Sequence, residues 1–423
     1  MSLFDISFKI KIRQHYLLFL NTTIFMTHFK LKKNQIIILF LFVSQIAVSQ
    51  NKVLFVIDKT TNFPIENAVV FSSDSNQGTF TNSEGKASIN VKSGTVKISK
   101  LGFDDSVVEV EKAIKLDTLF LTPQAVQLDE LVIKSFNLNK ALQYVLDNFK
   151  DLYVHTPFEK ECNFKETVVV DDQLKRLILT KVNWWDKTYE RKKNNTLKLR
   201  LGAIDYNKNI PLNIFTDVPR INENKSVYLT PNSLINTLYF NSYLFSFLRS
   251  SKNMTGSVEE SPLDQIIVSF ESEWENTEEV LSRLKGRIVF DKKTKAVLEF
   301  INTIEYKNNL KVKTVKENGK ESVSETKTAS WRLLFYKTED NLFALKAFDS
   351  TIEMTITYDN KIHPCEYKNS IYVLKEMTVN KVNDDGLMDL SKPIYQNLPS
   401  QTIANVNSIL LNKAENDFIN SNK

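Results

Sequence analysis

The sequence predicts a mainly β protein: a small two-sheet sandwich, a connecting helix, and a larger antiparallel β-domain, the last expected as an open curved sheet with covering helices. Three observations carry this reading. Short apolar-alternating runs recur between turn formers over residues 50–133. Spacing then switches to three and four over 134–155, and from 156 long strand-like stretches return and fill most of the remaining chain. The expected division is an upstream extension plus leader at 1–49, the sandwich at 50–133, the connecting helix at 134–155 and the β-rich domain at 156–423.

The leader is read from "MTHFKLKKNQIIILFLFVSQIAVSQ", beginning at Met26. Lys30, Lys32 and Lys33 precede the apolar run Ile36–Val43, and Ala47, Val48 and Ser49 supply the small residues of a signal-peptidase site. The apolar stretch is shorter than the roughly 20 residues that cross a bilayer. Export with cleavage after Ser49 and translation from Met26 is therefore expected. No cysteine lies near that point, so no lipid anchor is expected.

Residues 1–49 hold six of the 55 Lys and Arg and one of the 50 acidic residues, so the rest of the chain is balanced at 49 of each. A balanced surface offers no field for polyanions, which argues against nucleic acid as a partner. The run "ERKKNNTLKLR" at Glu190–Arg200 reads as a solvated turn and strand end.

Within the first domain Val53–Ile57 is a strand, and "DKTTNFPIE" from Asp58 ends it with turn formers and a proline. Asn67–Ser72 resumes strand character. Asn82–Gly85 is a turn in which Gly85 takes positive φ, followed by Ala87, Ile89 and Val91 on one face. Val96, Ile98 and Leu101 are expected inward, Val107, Val108 and Val110 continue the pattern, and "KLDTLFLTP" closes it. That makes six or seven strands in about 75 residues, the size of a small sandwich.

The stretches "VIDKTTNFPIENAVVF" at 56–71, "GTFTNSEGKASI" at 78–89, "KISKLGFDDSVVEV" at 97–110 and "LDELVI" at 128–133 resemble the carboxypeptidase regulatory-like domain, a transthyretin-like sandwich of exported Bacteroidetes proteins. Glu66 stands where the pattern usually has Gly, and Asn62-Phe63 where many members have Thr-Gly; both departures touch turns. The resemblance covers the N-terminal region only. It implies an accessory sandwich rather than a peptidase.

Residues for catalysis or metal binding do not assemble in the sequence. Beyond the leader the chain has only His155 and His363. His155, in "YVHTPFEKE", lacks the paired-histidine helical spacing of a zinc site, and Pro157 interrupts any helix toward Glu159 and Glu161. His363 lies beside Pro364 and Cys365 with no identifiable orienting group or oxyanion hole. Asp74 and Glu84 in turns lack the dense oxygen ligands of a calcium loop. The site expectation is thus none for catalytic, cofactor-binding and metal residues, and no cofactor. Cys162 and Cys365 admit either one disulfide or two buried thiols.

"NLNKALQYVLDNFKDLY" reads as one helix of about four turns, with Leu138, Ala141, Leu142, Val145, Leu146 and Phe149 as its apolar stripe and Asn137 or Asn139 as its cap. From Phe164 to about Val379 strands and hairpins alternate, among them "FDKKTKA", "KENGKE" and "TIEMTITYDN", where Ile352, Met354, Ile356 and Tyr358 face one way. Adjacent Trp184 and Trp185 point to opposite faces, so at least one is expected at the surface or at an interface. The segment 205–257 interrupts the rhythm, and "SLINTLYFNSYLFSFL" within it reads as an amphipathic helix lying on the sheet through Leu234, Leu238, Tyr243 and Leu244. The expected function is a noncatalytic cell-envelope protein of the periplasm or the periplasmic face of the outer membrane, binding or scaffolding a partner protein, glycan or apolar ligand, with peripheral membrane association admitted. A lipid-like ligand carrier, a small outer-membrane β-barrel and a carboxylate-dependent hydrolase are the alternatives.

Overall fold

The computed structural model describes residues 52–123 apart from 67, 73–77, 90–92, 101–102 and 105; then 136–191, 196–210 and 238–250; 254–315 apart from 262–263 and 278–279; and 321–399 apart from 391 and 393, with 402–403 and 410–421. The leader, "LDELVI", Asp74, Leu234 and the "KENGKE" turn tip lie outside these residues. Lys52–Lys423 forms one compact unit.

The first domain is the expected two-sheet sandwich. One sheet has the order β4 (Lys86–Ile89), β1 (Lys52–Asp58), β7 (Thr118–Leu121), and the other β3 (Gly78–Phe80), β2 (Val69–Ser72), β5 (Thr95–Ser99), β6 (Ser106–Glu109). Leu54, Val56, Val70, Ala87, Val96, Ile98 and Leu121 fill the space between them. Gly85 has φ +70°, and a Cβ there would meet the Val56 carbonyl oxygen at 2.6 Å, so the turn admits only glycine. Val110 departs from the expected strand: it opens helix α1 (Val110–Leu116), whose Val110 and Ala113 are buried. A two-residue β pattern and a helical one cannot be told apart over so short a stretch, and the packing of Ala113 into the sandwich decides it.

The expected single connecting helix is two: α2 (Leu138–Asp147), capped by the Asn137 side chain on the Lys140 N–H, and a short α3 (Phe149–Leu152). Asn148 divides them. Its backbone and side-chain N–H groups both bond the Tyr144 carbonyl, which ends the first helix.

The larger domain is a 12-stranded, open, antiparallel sheet. Its path runs β11 (Met254–Ser261), β12 (Gln265–Ser272), β14 (Val280–Asp291), β15 (Val297–Val315), β16 (Glu321–Lys337), β17 (Phe343–Tyr358), β18 (Lys361–Thr378), β8 (Phe158–Val170), β9 (Gln173–Asp186), β10 (Lys198–Asn209), β19 (Thr402–Ile403), with β13 (Glu275–Thr277) off the path on β14. The terminal strands β11 and β19 do not pair with each other, which corrects the closed-barrel alternative.

The sheet has an inner face carrying α2 and helix α4 (Phe240–Ser250), and an outer face carrying the sandwich and the C-terminal helix α6 (Lys413–Asn420). Between them in the chain lies the short α5 (Ile394–Asn397). The inner core joins Leu142, Val145, Phe149, Tyr153, Phe158, Trp184, Tyr239, Phe240, Phe300 and Phe348. Tyr153 locks it: its hydroxyl donates to the Val297 carbonyl and accepts from the Val297 N–H, both at 3.0 Å. The expected amphipathic helix thus packs on the sheet, with Leu238 and Leu244 buried. Among the described residues no helix is long and apolar enough to cross a membrane.

Candidate functional site

The sandwich is fastened to the outer face by a built junction. Phe80 meets Tyr372 edge to face with ring centres 4.6 Å apart. The Lys346 ammonium sits 4.8 Å from the Phe71 ring centre, 4.7 Å from Tyr372 and 5.4 Å from Tyr336. Burial pulls this ammonium down to about 8. Nearby Arg332 pairs with Glu299 at 2.6 Å and Asp349 at 3.5 Å, and burial together with Arg332 lowers Lys100 of the sandwich as well. Glu84, read from sequence as a turn residue, accepts from the Lys413 N–H at the start of α6 at 2.8 Å, and Asn412 donates to Ser83 at 3.2 Å. Glu415, in the capping box of the same helix, pairs with Lys165 of β8 at 2.6 Å.

The inner face holds ionised groups within its apolar core. Lys160 is fully buried, 2.6 Å from Glu376 directly opposite, with its ammonium 4.6 Å from the Phe158 ring centre. Leu374 is the extra residue of a bulge between Val373 and Lys375, and it shifts the parity of β18 so that Glu376 faces Lys160. Arg176 bonds Glu166 at 3.1 Å and Asn209 at 2.8 Å and lies 3.8 Å from the Tyr395 ring centre, while Tyr367 donates to Glu166 at 2.6 Å. Asp186 accepts from the Tyr239 and Thr196 hydroxyls and from the Lys187 N–H. Each of these carboxylates is thus held by a cation or by several donors, which suits fixed architecture more than proton transfer.

A third feature runs across the strands. Residues directly opposite in register share a face, and the ladder places Asn302, Trp331, Ser350, Asn369 and Glu166 side by side on five adjacent strands of the inner face. Asn302 Oδ1, Trp331 Nε1, Ser350 Oγ and Asn369 Nδ2 are buried without a hydrogen-bond partner.

The residues singled out in the sequence do not converge. His155 has its ring nitrogen 3.3 Å from the Tyr153 carbonyl, whereas His363 is 2.8 Å from Asp171 at the far end of β18. Among the described residues no group of three or more His, Cys, Asp or Glu could hold a metal ion. Cys162 and Cys365 are separate buried thiols, each pushed up to about 12 by burial. Trp184 and Trp185 do take opposite faces and are both buried, so of the two expected settings, surface or interface, neither is at the surface. Trp185 is covered by the chain after β18, donating to the Val379 carbonyl at 2.7 Å.

The polar groups that matter were missed, although "FEKECNFKETVVV" carries a sign of them. Phe158, Cys162, Phe164 and Val168 define one parity, and Lys160 and Glu166 share it. A charge in the apolar phase of a strand marks a buried pair.

The architecture defines a small accessory sandwich fixed to the outer face of an open antiparallel sheet. Residues 55–133 match the CarboxypepD_reg-like domain family, so the chain carries such a domain, a noncatalytic regulatory module, in its N-terminal part. No curated protein matches the chain. A crystal structure from Bacteroides fragilis, described as that of a membrane-associated protein of unknown function, aligns over 77% of this chain and 98% of its own at 9% identity and a TM-score of 0.13.

Proposed function

We propose that this is a noncatalytic cell-envelope binding protein, exported to the periplasm or the periplasmic face of the outer membrane, in which the sandwich of residues 50–133 braces the sheet of 156–423 and the sheet's inner face holds the bound species. The observation that carries this reading is the division of labour between faces. The outer face is occupied by the sandwich and α6 through the Lys346, Phe80 and Glu84 contacts, whereas the inner face, beneath α2 and α4, carries buried polar atoms without partners lined up in one register row, Asn302 Oδ1, Trp331 Nε1, Ser350 Oγ and Asn369 Nδ2. A bound protein, glycan or apolar ligand would leave a mass on the native chain. Native mass spectrometry of the chain from Gln50, purified without detergent from the envelope fraction of its host, is expected to show one stoichiometric adduct. A bare chain under those conditions overturns the reading.

A further inference from the structure

We infer that the protein pairs with a second copy of itself through one edge of the large sheet, β11 joining β11 antiparallel about a two-fold axis at Ser257; this stands apart from the binding reading above. The two edges of the sheet end differently. At one, β10 is overlaid by β19 at Tyr206 and Asn207, by the Met388 N–H on the Leu199 carbonyl at 2.8 Å, and by the bridge of Arg200 to Leu387. At the other, β11 pairs with β12 over eight residues without a bulge and, among the described residues, with no other strand. The edge strands of the sandwich, β3, β4, β6 and β7, have only three or four residues each. A bare edge is a template for pairing, which proteins blunt with short strands, lysine, proline or bulges. The run "MTGSVEES" of β11 has none of these.

Which backbone groups face outward follows from one hydrogen bond. The Lys292 N–H donates to the Asp264 carbonyl at 2.9 Å, one register step beyond Gln265 opposite Asp291. Backbone polar groups alternate in direction along a strand. Gln265, Ile267, Ser269 and Glu271 therefore turn theirs toward β11, onto their register partners Ser261, Glu259, Ser257 and Thr255. That leaves Met254, Gly256, Val258 and Glu260 with N–H and C=O at the free edge. Gly256 and Ser257 are exposed.

Those four residues select the register. In a two-fold antiparallel pair, edge-facing residues meet edge-facing residues. An axis at Ser257 sets Met254 opposite Glu260 and Gly256 opposite Val258 of the second copy, so that all four bond in both chains. Moving the axis to Gly256 or Val258 leaves Glu260 or Met254 without a partner in the strand, and moving it to Glu259 sets like charges face to face. Met254 and Val258 pack on the inner core, so an axis perpendicular to the sheet runs the two inner faces into one. With the other edge covered, each chain offers one edge, and the assembly closes at two copies instead of growing into a fibre.

The chain from Gln50, free of detergent, is expected to sediment as a dimer that dissociates on dilution, in equilibrium runs spanning about 1 to 100 µM. Ser257→Glu sets two carboxylates against each other at the axis and is expected to raise the dissociation constant about threefold or more at low salt. Mixing it with an equal amount of Ser257→Lys is expected to restore dimers, because the axis then carries opposite charges. Position 257 is exposed, so both variants should keep the urea midpoint of the dilute chain. Ser257→Cys should give a disulfide-linked dimer under mild oxidation, with the two substituted positions joined in one peptide pair. A chain that stays monomeric over the whole range overturns the inference. So does a dimer indifferent to Ser257→Glu, or a charge mixture no tighter than Ser257→Glu alone.

Discussion

Lys346 and Phe71 meet across the junction of sandwich and sheet, with the ammonium 4.8 Å from the ring centre. Burial among Phe71, Tyr336 and Tyr372 lowers the folded lysine to about 8, well below its ordinary value of 10.5. From about pH 8 to 10.5 the unfolded chain therefore holds a proton that the folded chain lacks, and this group's contribution to stability rises with pH across that window. Below pH 8 the desolvation penalty is fully present. Lys346→Met removes the titration, so urea unfolding is expected to favour the Met variant at pH 7. The difference should close by on the order of 2 to 3 kcal/mol by pH 10. A difference that does not vary with pH would put the ammonium in water.

Lys160 and Glu376 are expected to behave as a unit. Glu376→Ala strands a fully buried ammonium and should cost about 3–5 kcal/mol, read from the urea midpoint at pH 7. Lys160→Met combined with Glu376→Leu should recover most of that loss, because Phe158, Trp184 and Tyr189 already surround the ammonium with apolar surface. Additive losses in the double variant would mean that each residue acts alone.

How much of this was legible follows from parity. The sandwich was readable because its turns are spelled out, Gly85 most clearly, and its strands are too short to lose phase. The strip Ile352, Met354, Ile356 was readable for the same reason. Glu376 was not, since one bulge residue, Leu374, inverts which side chains face inward and leaves no local mark in the sequence. Nor was the row from Asn302 to Asn369, which exists only once four strands are set in register. Glu84 looked like any acidic turn residue because its partner, the Lys413 N–H, is 329 residues away.

The thiols give a simpler prediction. Cys162 and Cys365 are both buried and both raised to about 12, so neither forms appreciable thiolate at pH 8. A chromogenic disulfide reagent is expected to detect no thiol in the native chain and two per chain in denaturant, and peptide mapping without reduction should yield no linked pair. One cross-linked peptide containing both residues would refute the packing of these strands.

Two glycines separate the reasons a position can demand glycine. Gly286 pairs with Phe270 on one side and Asn302 on the other, and a Cβ there would stand 2.0 Å from the Ile301 carbonyl oxygen and 2.7 Å from the Phe270 ring. Its demand is for space, with both a backbone and a ring contact to relieve. Gly386 has φ +68° and nothing within 4 Å of a Cβ, so its demand is purely conformational. Gly386→Ala should therefore cost about 1 kcal/mol through backbone strain alone. Gly286→Ala should cost about 2–4 kcal/mol through overpacking at the inner face. Phe270→Leu in the Gly286→Ala background should return part of that cost by removing the ring contact, but not all of it, because the Ile301 carbonyl stays in place. Urea midpoints of the four chains would check the ordering, and equal costs at 286 and 386 would show that the strand at Gly286 moves aside at no expense to the sheet.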